Sequence, residues 1–180
     1  MRAPLDPRIL LLFLFMAASL SAQKEHRQPL TEQQVEQIRD AGIDPGERVK
    51  LYTKFLGEHV EAIKGLTSRA HSASRSKRVD DELQDLTALM DELGSNLDQY
   101  GERKADMRVA LKALNEATQH WLEVLHALPS EPGFDLSHKE AIDSEKDLSD
   151  QAAQMLKEQT DYFNLHKDEK GQDRVEPKPQ

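Results

Sequence analysis

The chain has 180 residues, with 24 basic and 33 acidic side chains, a formal net charge of −9 and no cysteine. This length is typical of one domain, and the acidic balance argues against nucleic acid or an anionic membrane as the main partner, since both attract basic proteins. The lack of cysteine excludes disulfides, thiol catalysis, cysteine metal sites and a lipobox anchor.

The first 22 residues predict a secretory signal peptide. Arg2 and Arg8 flank a short leader, and the apolar run 9–18 and the small residues 19–22 follow. The run is about ten residues long, against the roughly 20 that a membrane-spanning helix needs. Cleavage after Ser21 and after Ala22 fit equally well. We therefore expect a secreted or periplasmic protein with no stable membrane insertion after cleavage.

Residues 23–166 predict a single all-α domain, because strand patterns are missing and helix starts are legible. Thr31–Gln34 forms a capping-box pattern, and Asp44-Pro45 places an N-cap before a proline at the first helical position. Ser137 opens a third candidate start, for a last helix from about 138 to 166. Residues 167–180 are charged and predict a disordered tail.

A long heptad pattern dominates the middle of the chain. It predicts one helix of about 50 residues over 79–128, in an elongated antiparallel bundle of three long helices plus a short N-terminal helix. The seam positions, broken only by Lys104 and Thr118, are Val79, Leu83, Leu86, Met90, Leu93, Leu97, Tyr100, Lys104, Met107, Leu111, Leu114, Thr118, Trp121, Leu125 and Leu128.

Two glycines leave an alternative open. Gly94 and Gly101 lie beside the seam, where each costs about 1 kcal/mol relative to alanine in a helix. They either let a neighbouring helix approach closely or mark a bend. A true turn at residues 94–96 would instead give a compact four-helix bundle.

Other segments have simpler interpretations. The stretch 68–78 is basic and serine-rich, and predicts an exposed linker or a frayed helix end. His59 falls between apolar seam positions of the preceding helix, and predicts a core histidine bonded to a tyrosine or a facing acid.

The one candidate functional site in the sequence is a metal site. Glu123 and His126 have the Glu-x-x-His spacing of dinuclear helical-bundle sites, but the motif occurs once and the heptad phase turns both residues outward. A looser ladder remains at Glu116, His120 and Glu123, spaced to share one helix face. It would hold zinc or copper weakly, with water completing the shell.

Enzymatic activity is not expected. The chain lacks a Gly-rich phosphate loop and the Gly-x-Ser-x-Gly, His-Glu-x-x-His and calcium-loop motifs, and its acids fall mainly on outer heptad positions. No cofactor is predicted. The leading interpretation is a non-enzymatic protein-interaction or scaffold module that binds a protein partner or a second copy of itself.

A short resemblance supplies the alternative function. Leu30-Thr31-Glu-Gln-Gln34 resembles the Leu-Thr-x-x-Gln helix start of small periplasmic helical chaperones of the envelope-stress type. It covers five residues, and the second copy typical of those proteins is missing here. The resemblance implies a chaperone-like envelope protein, and the ladder on residues 116, 120 and 123 adds a weakly metal-buffering envelope protein to the alternatives.

Overall fold

The computed structural model describes residues 28–102 and 105–166, which form five helices and no strand. The predicted all-α class is confirmed. The predicted signal peptide (1–22) and charged tail (167–180) lie outside the described residues. The helices are α1 (Glu32–Asp40), α2 (Pro45–Thr67), α3 (Ala73–Glu102), α4 (Arg108–His126) and α5 (Asp135–Leu165).

Two of the three predicted helix starts are confirmed. Thr31 caps α1 through a reciprocal capping box with Gln34, and the Asp44 carboxylate accepts backbone hydrogen bonds at the start of α2, where Pro45 is the first residue. The third is wrong, because α5 begins at Asp135. The Ser137 hydroxyl lies inside α5, where its single proton is shared between an Asp80 carboxylate oxygen on α3 at 2.6 Å and the Phe134 carbonyl oxygen at 3.1 Å.

The predicted continuous helix over 79–128 is wrong. α3 ends at Glu102, residues 105–107 are not helical, and α4 begins at Arg108. The side chain of Gln159 stabilises the break, since its Nε2 donates to the Ala105 carbonyl at 2.9 Å and its Oε1 accepts from the Met107 N–H at 2.8 Å. These bonds satisfy two buried backbone groups that a helix would have satisfied internally. Lys104 lies outside the described residues.

The four long helices pack around one core, as in the alternative four-helix arrangement, but the described break lies at 105–107 instead of 94–96. α2 and α5 each pack against both α3 and α4. α3 and α5 run parallel, because residues about 57 apart are in contact along both, as in the bonds from Ser137 to Asp80 and from Gln151 to Gly94.

α2 runs antiparallel to α3, as its bonds from Tyr52 to Glu92 and from His59 to Glu82 indicate. α4 in turn runs antiparallel to α5. The start of α2, the end of α3, the start of α4 and the end of α5 therefore meet at one end of the bundle. We call this end of the bundle, where α3 connects to α4, the linker end.

The predicted seam forms the core. Its members among the described residues are buried, except Leu128, which is half-buried. The two glycines lie inside α3 and allow close approach of α5. A Cβ at Gly94 would stand 3.1 Å from the Gln151 side chain, and one at Gly101 would stand 3.3 Å from the Met155 methyl group.

The basic stretch 68–78 is more ordered than predicted. Its second half begins α3, and Arg75 is buried in an ion pair with Glu131 of the α4–α5 loop. Ser76 donates to the same carboxylate at 3.0 Å. The pKa of Glu131 is lowered, chiefly by its hydrogen bond from Arg75. The cluster joins the start of α3 to the α4–α5 loop, at the end of the bundle opposite the linker end.

Candidate interaction groove

The N-terminal segment 28–43, which we call the N-terminal strap, lies on the outside of the bundle. Its helix α1 packs against α2, and Leu30 and Ile38 are buried beneath it. A further bond joins Gln34 Nε2 to a carboxylate oxygen of Glu58 on α2 at 3.0 Å. Few contacts hold this segment compared with the four long helices, so it is the part of the described fold most easily displaced.

His59 links the strap to the bundle. Its Nδ1 lies 2.8 Å from Glu82 Oε2 on α3, and its Nε2 lies 3.2 Å from the Pro29 carbonyl oxygen. Both neighbours are acceptors, so only the doubly protonated ring donates to both. The predicted pairing of His59 with a facing acid is confirmed. The bond to the strap was not predictable, because Pro29 lies 30 positions away.

A groove of about 390 Å³ opens between the strap, α2 and α3. Its apolar lining comes mainly from the strap, and its polar lining comes mainly from the long helices. The lining residues are Leu30, Val35, Ile38, Arg39, Gly42, Arg48, Tyr52 and Glu92.

Arg48 is the unusual member of this groove. Its Nε is buried and has no hydrogen-bond partner among the described residues, and its guanidinium carbon lies 6.0 Å from the centre of the Tyr100 ring. No carboxylate in residues 28–102 or 105–166 forms an ion pair with it. Arg39, which also lines the groove, is paired with Glu36 at 2.7 Å. Arg48 therefore retains donor capacity that the fold leaves unused.

The acid in the groove is already engaged. The Tyr52 hydroxyl donates to Glu92 Oε1 at 2.5 Å. Burial, followed by the bond to Glu92, raises the pKa of Tyr52 above its ordinary value, so the phenol stays protonated and continues to donate. Glu92 is thus held on α3 by a neighbour from α2, away from ion-pairing distance of Arg48.

Large apolar side chains are exposed at the linker end of the bundle. Ile43 is 63% exposed before α2, Val109 is 77% exposed in the first turn of α4, and Leu165 is 83% exposed at the end of α5. Leu136, 72% exposed at the start of α5, lies at the opposite end. Gly42, next to Ile43, lines the groove, so the groove and the linker end adjoin.

The predicted metal ladder lies on α4. All three of its residues, Glu116, His120 and Glu123, are exposed. The Glu116 Oε1 atom lies 3.9 Å from Lys112 Nζ. His120 Nε2 lies 3.8 Å from Glu61 Oε1 on α2, a neighbour that the sequence did not suggest. No group of three or more histidine and acidic side chains in the described part of the chain is arranged to hold a metal ion.

Glu145 is the residue that sequence reasoning missed. It is fully buried in α5, and both carboxylate oxygens lack a hydrogen-bond partner among the described residues. Burial raises its pKa to about 7. The signal was present, because Ala141, Leu148 and Ala152 define the inner stripe of this helix and place position 145 on it.

Comparisons of the chain with protein-family models, with curated proteins and with solved structures found no match. Within residues 28–102 and 105–166, no helix has the length and apolarity needed to cross a bilayer.

Proposed function

We propose that this chain is a secreted or periplasmic, non-enzymatic scaffold that binds a protein partner, or a second copy of itself, through the linker end. The observation that carries the proposal is the exposure of Ile43, Val109 and Leu165 at that end. Isolated exposed apolar residues are common on soluble proteins, whereas their accumulation in one region is typical of interaction surfaces.

The location of these residues supports the proposal further. They lie just before α2, in the first turn of α4 and at the end of α5, and α4 packs against both of the other helices. Burial of apolar side chains in a partner would supply the main driving force at about 25 cal/mol per Å². The net charge of −9 limits non-specific association, so a partner must offer apolar contacts or a basic rim.

Site-specific photocrosslinking tests this proposal in the cells that make the protein. A benzophenone amino acid replaces Val109 or Leu165 in the full chain, and the same replacement at Leu136 is the matched control. We expect discrete crosslinked products from the two linker-end positions, identified by mass spectrometry, and none of these products from position 136. Equal products at all three positions, or none at any, would contradict the proposal.

The crosslinked products also separate the alternatives. One recurring partner supports an interaction module, and a crosslinked homodimer supports self-association. A broad mixture of unrelated proteins from Val109 and Leu165 would instead favour the chaperone-like alternative, in which the same apolar end binds clients.

Metal buffering is the second candidate, and the approach of Glu61 to His120 favours it. The described residues hold no preformed group of three ligands, so metal binding would require Glu116 or Glu123 to move toward His120 and Glu61. Calorimetric titration with zinc tests this function, with His120→Ala as the variant and His126→Ala, on the same helix, as the control. Binding at tens of micromolar that only His120→Ala abolishes would support it, and the absence of binding would end it.

A further inference from the structure

We propose that the groove beneath the N-terminal strap binds a segment of the partner protein in which one carboxylate stands beside apolar side chains. This inference rests on the proposed function and specifies the chemistry of the partner. The carboxylate would bond to Arg48, and the apolar side chains would lie against the strap.

The charge of the groove argues for a carboxylate. Arg48 is a partly buried cation with an unsatisfied Nε and no ion-pair partner among the described residues, in a chain of net charge −9. An arginine in such a setting is normally paired, because a guanidinium presents donors that match a carboxylate in a bidentate geometry. The aromatic face of Tyr100 holds the guanidinium without using its N–H donors.

The remaining lining argues for apolar neighbours. Leu30 and Ile38 form a buried floor, and Val35 is 38% exposed at the rim. A groove of about 390 Å³ is at the lower end of the range that accommodates a ligand, which suits a few side chains of a peptide. A peptide source is favoured over a free small molecule because the groove is open along the strap and adjoins the exposed Ile43.

Glu92 limits the number of acids. Its carboxylate lines the groove and is held in place by the Tyr52 hydroxyl, so a second acidic residue in the partner segment would meet a like charge. We therefore expect a single Asp or Glu, flanked by aliphatic or aromatic residues. Acidic tracts should bind poorly.

The test uses a phage-displayed library of random peptides, about twelve residues long, selected on the purified full chain. An acidic target disfavours acidic peptides in general, so enrichment of one acid beside apolar residues is diagnostic. The selected peptides are synthesised, and their affinity is measured for the wild type, Arg48→Gln and Lys50→Gln. Lys50 is the control because it carries the same charge on the same helix and is exposed outside the groove.

We expect Arg48→Gln to weaken binding by roughly tenfold or more, because a carboxylate would lose its paired charge, and Lys50→Gln to leave affinity unchanged. Circular dichroism checks that each variant folds. Val35→Lys provides a second variant at the rim, and it should weaken binding through its clash with the apolar side chains. Neither the core nor the Arg48 side chain is altered in that variant.

Two results would overturn the inference. One is the failure of the wild type to enrich peptides with a single acid beside apolar residues. The other is equal affinity of the selected peptides for wild type and Arg48→Gln. Peptides that lose affinity for Val109→Lys but not for Arg48→Gln would refute the groove while preserving partner binding at the linker end.

Discussion

Replacing Glu145 should remove a pH-dependent loss of stability that is built into the core of the bundle. The residue is fully buried in α5, and neither of its oxygens has a partner among the described residues. Ionising such a group is unfavourable, so the folded chain keeps the proton more tightly than the unfolded chain. Asp150 adds to this effect, whereas Lys146 opposes it, and both belong to the same helix.

The sign and size of this loss of stability follow from the pKa of Glu145 in the folded chain and in the unfolded chain. The pKa is about 7 in the folded chain, against an unperturbed 4.5. Below the lower value the carboxyl is protonated in both states and makes no pH-dependent contribution to stability. As the pH rises from the unfolded-chain pKa to the folded-chain pKa, the free energy of unfolding falls. Above the folded-chain pKa it stays constant. The full difference corresponds to about 3 kcal/mol, most of which is lost between pH 5 and pH 8.

Urea unfolding of wild type and Glu145→Gln at pH 5, 6, 7 and 8 measures this effect. A glutamine has similar size and no charge, so its free energy of unfolding should exceed the wild-type value by an amount that grows with pH. We expect the gap to widen by about 2–3 kcal/mol across this range, a midpoint shift on the order of 1 M urea. Glu140→Gln, an exposed position on α5, is the matched control and should show no widening.

The comparison uses the change with pH because an amide in that site also lacks partners, which alters stability by the same amount at every pH. Parallel curves for wild type and Glu145→Gln from pH 5 to pH 8 would refute the reasoning. They would mean that the carboxylate obtains water or a partner in the folded chain.

Three further substitutions test how the fold is held together. Gln159→Leu should cost about 2–4 kcal/mol of unfolding free energy, because it leaves buried backbone groups of 105–107 unpaired, while Gln154→Leu on the exposed face of α5 should change it by less than about 1 kcal/mol. Arg75→Gln should lower the urea midpoint of unfolding, since it leaves the Glu131 carboxylate without its cation; an unchanged midpoint would contradict this. His59→Phe should raise amide hydrogen exchange in residues 28–43 about tenfold without moving exchange in the core, and unchanged exchange there would show that other contacts hold the strap.

Local chemistry made several features predictable from sequence. The capping box at Thr31 and the Asp44-Pro45 start depend on residues three or fewer positions apart, and both occur as expected. The seam was also predictable, since a heptad phase reports which side of a helix is apolar. The groove was not, because Arg48 and Val35 lie on different helices and nothing local places them together.

The break between α3 and α4 shows what periodicity leaves undetermined. A phase held across 79–128 identifies the residues that face the core, but the same phase serves two helices that both point their seams at one bundle axis. Tyr100 before the break and Met107 after it are both buried, so the heptad count continues although the helix does not.

What stops the helix is nonlocal: Gln159, more than 50 positions away, supplies the two hydrogen bonds that let 105–107 leave the helical path. Gly101, the polar Lys104 in the seam and Asp106 lie within six residues of one another, and together they weaken the local case for continuity. Such a cluster within an unbroken heptad phase is therefore better interpreted as a hairpin between core helices when the chain also contains further amphipathic helices to complete the bundle.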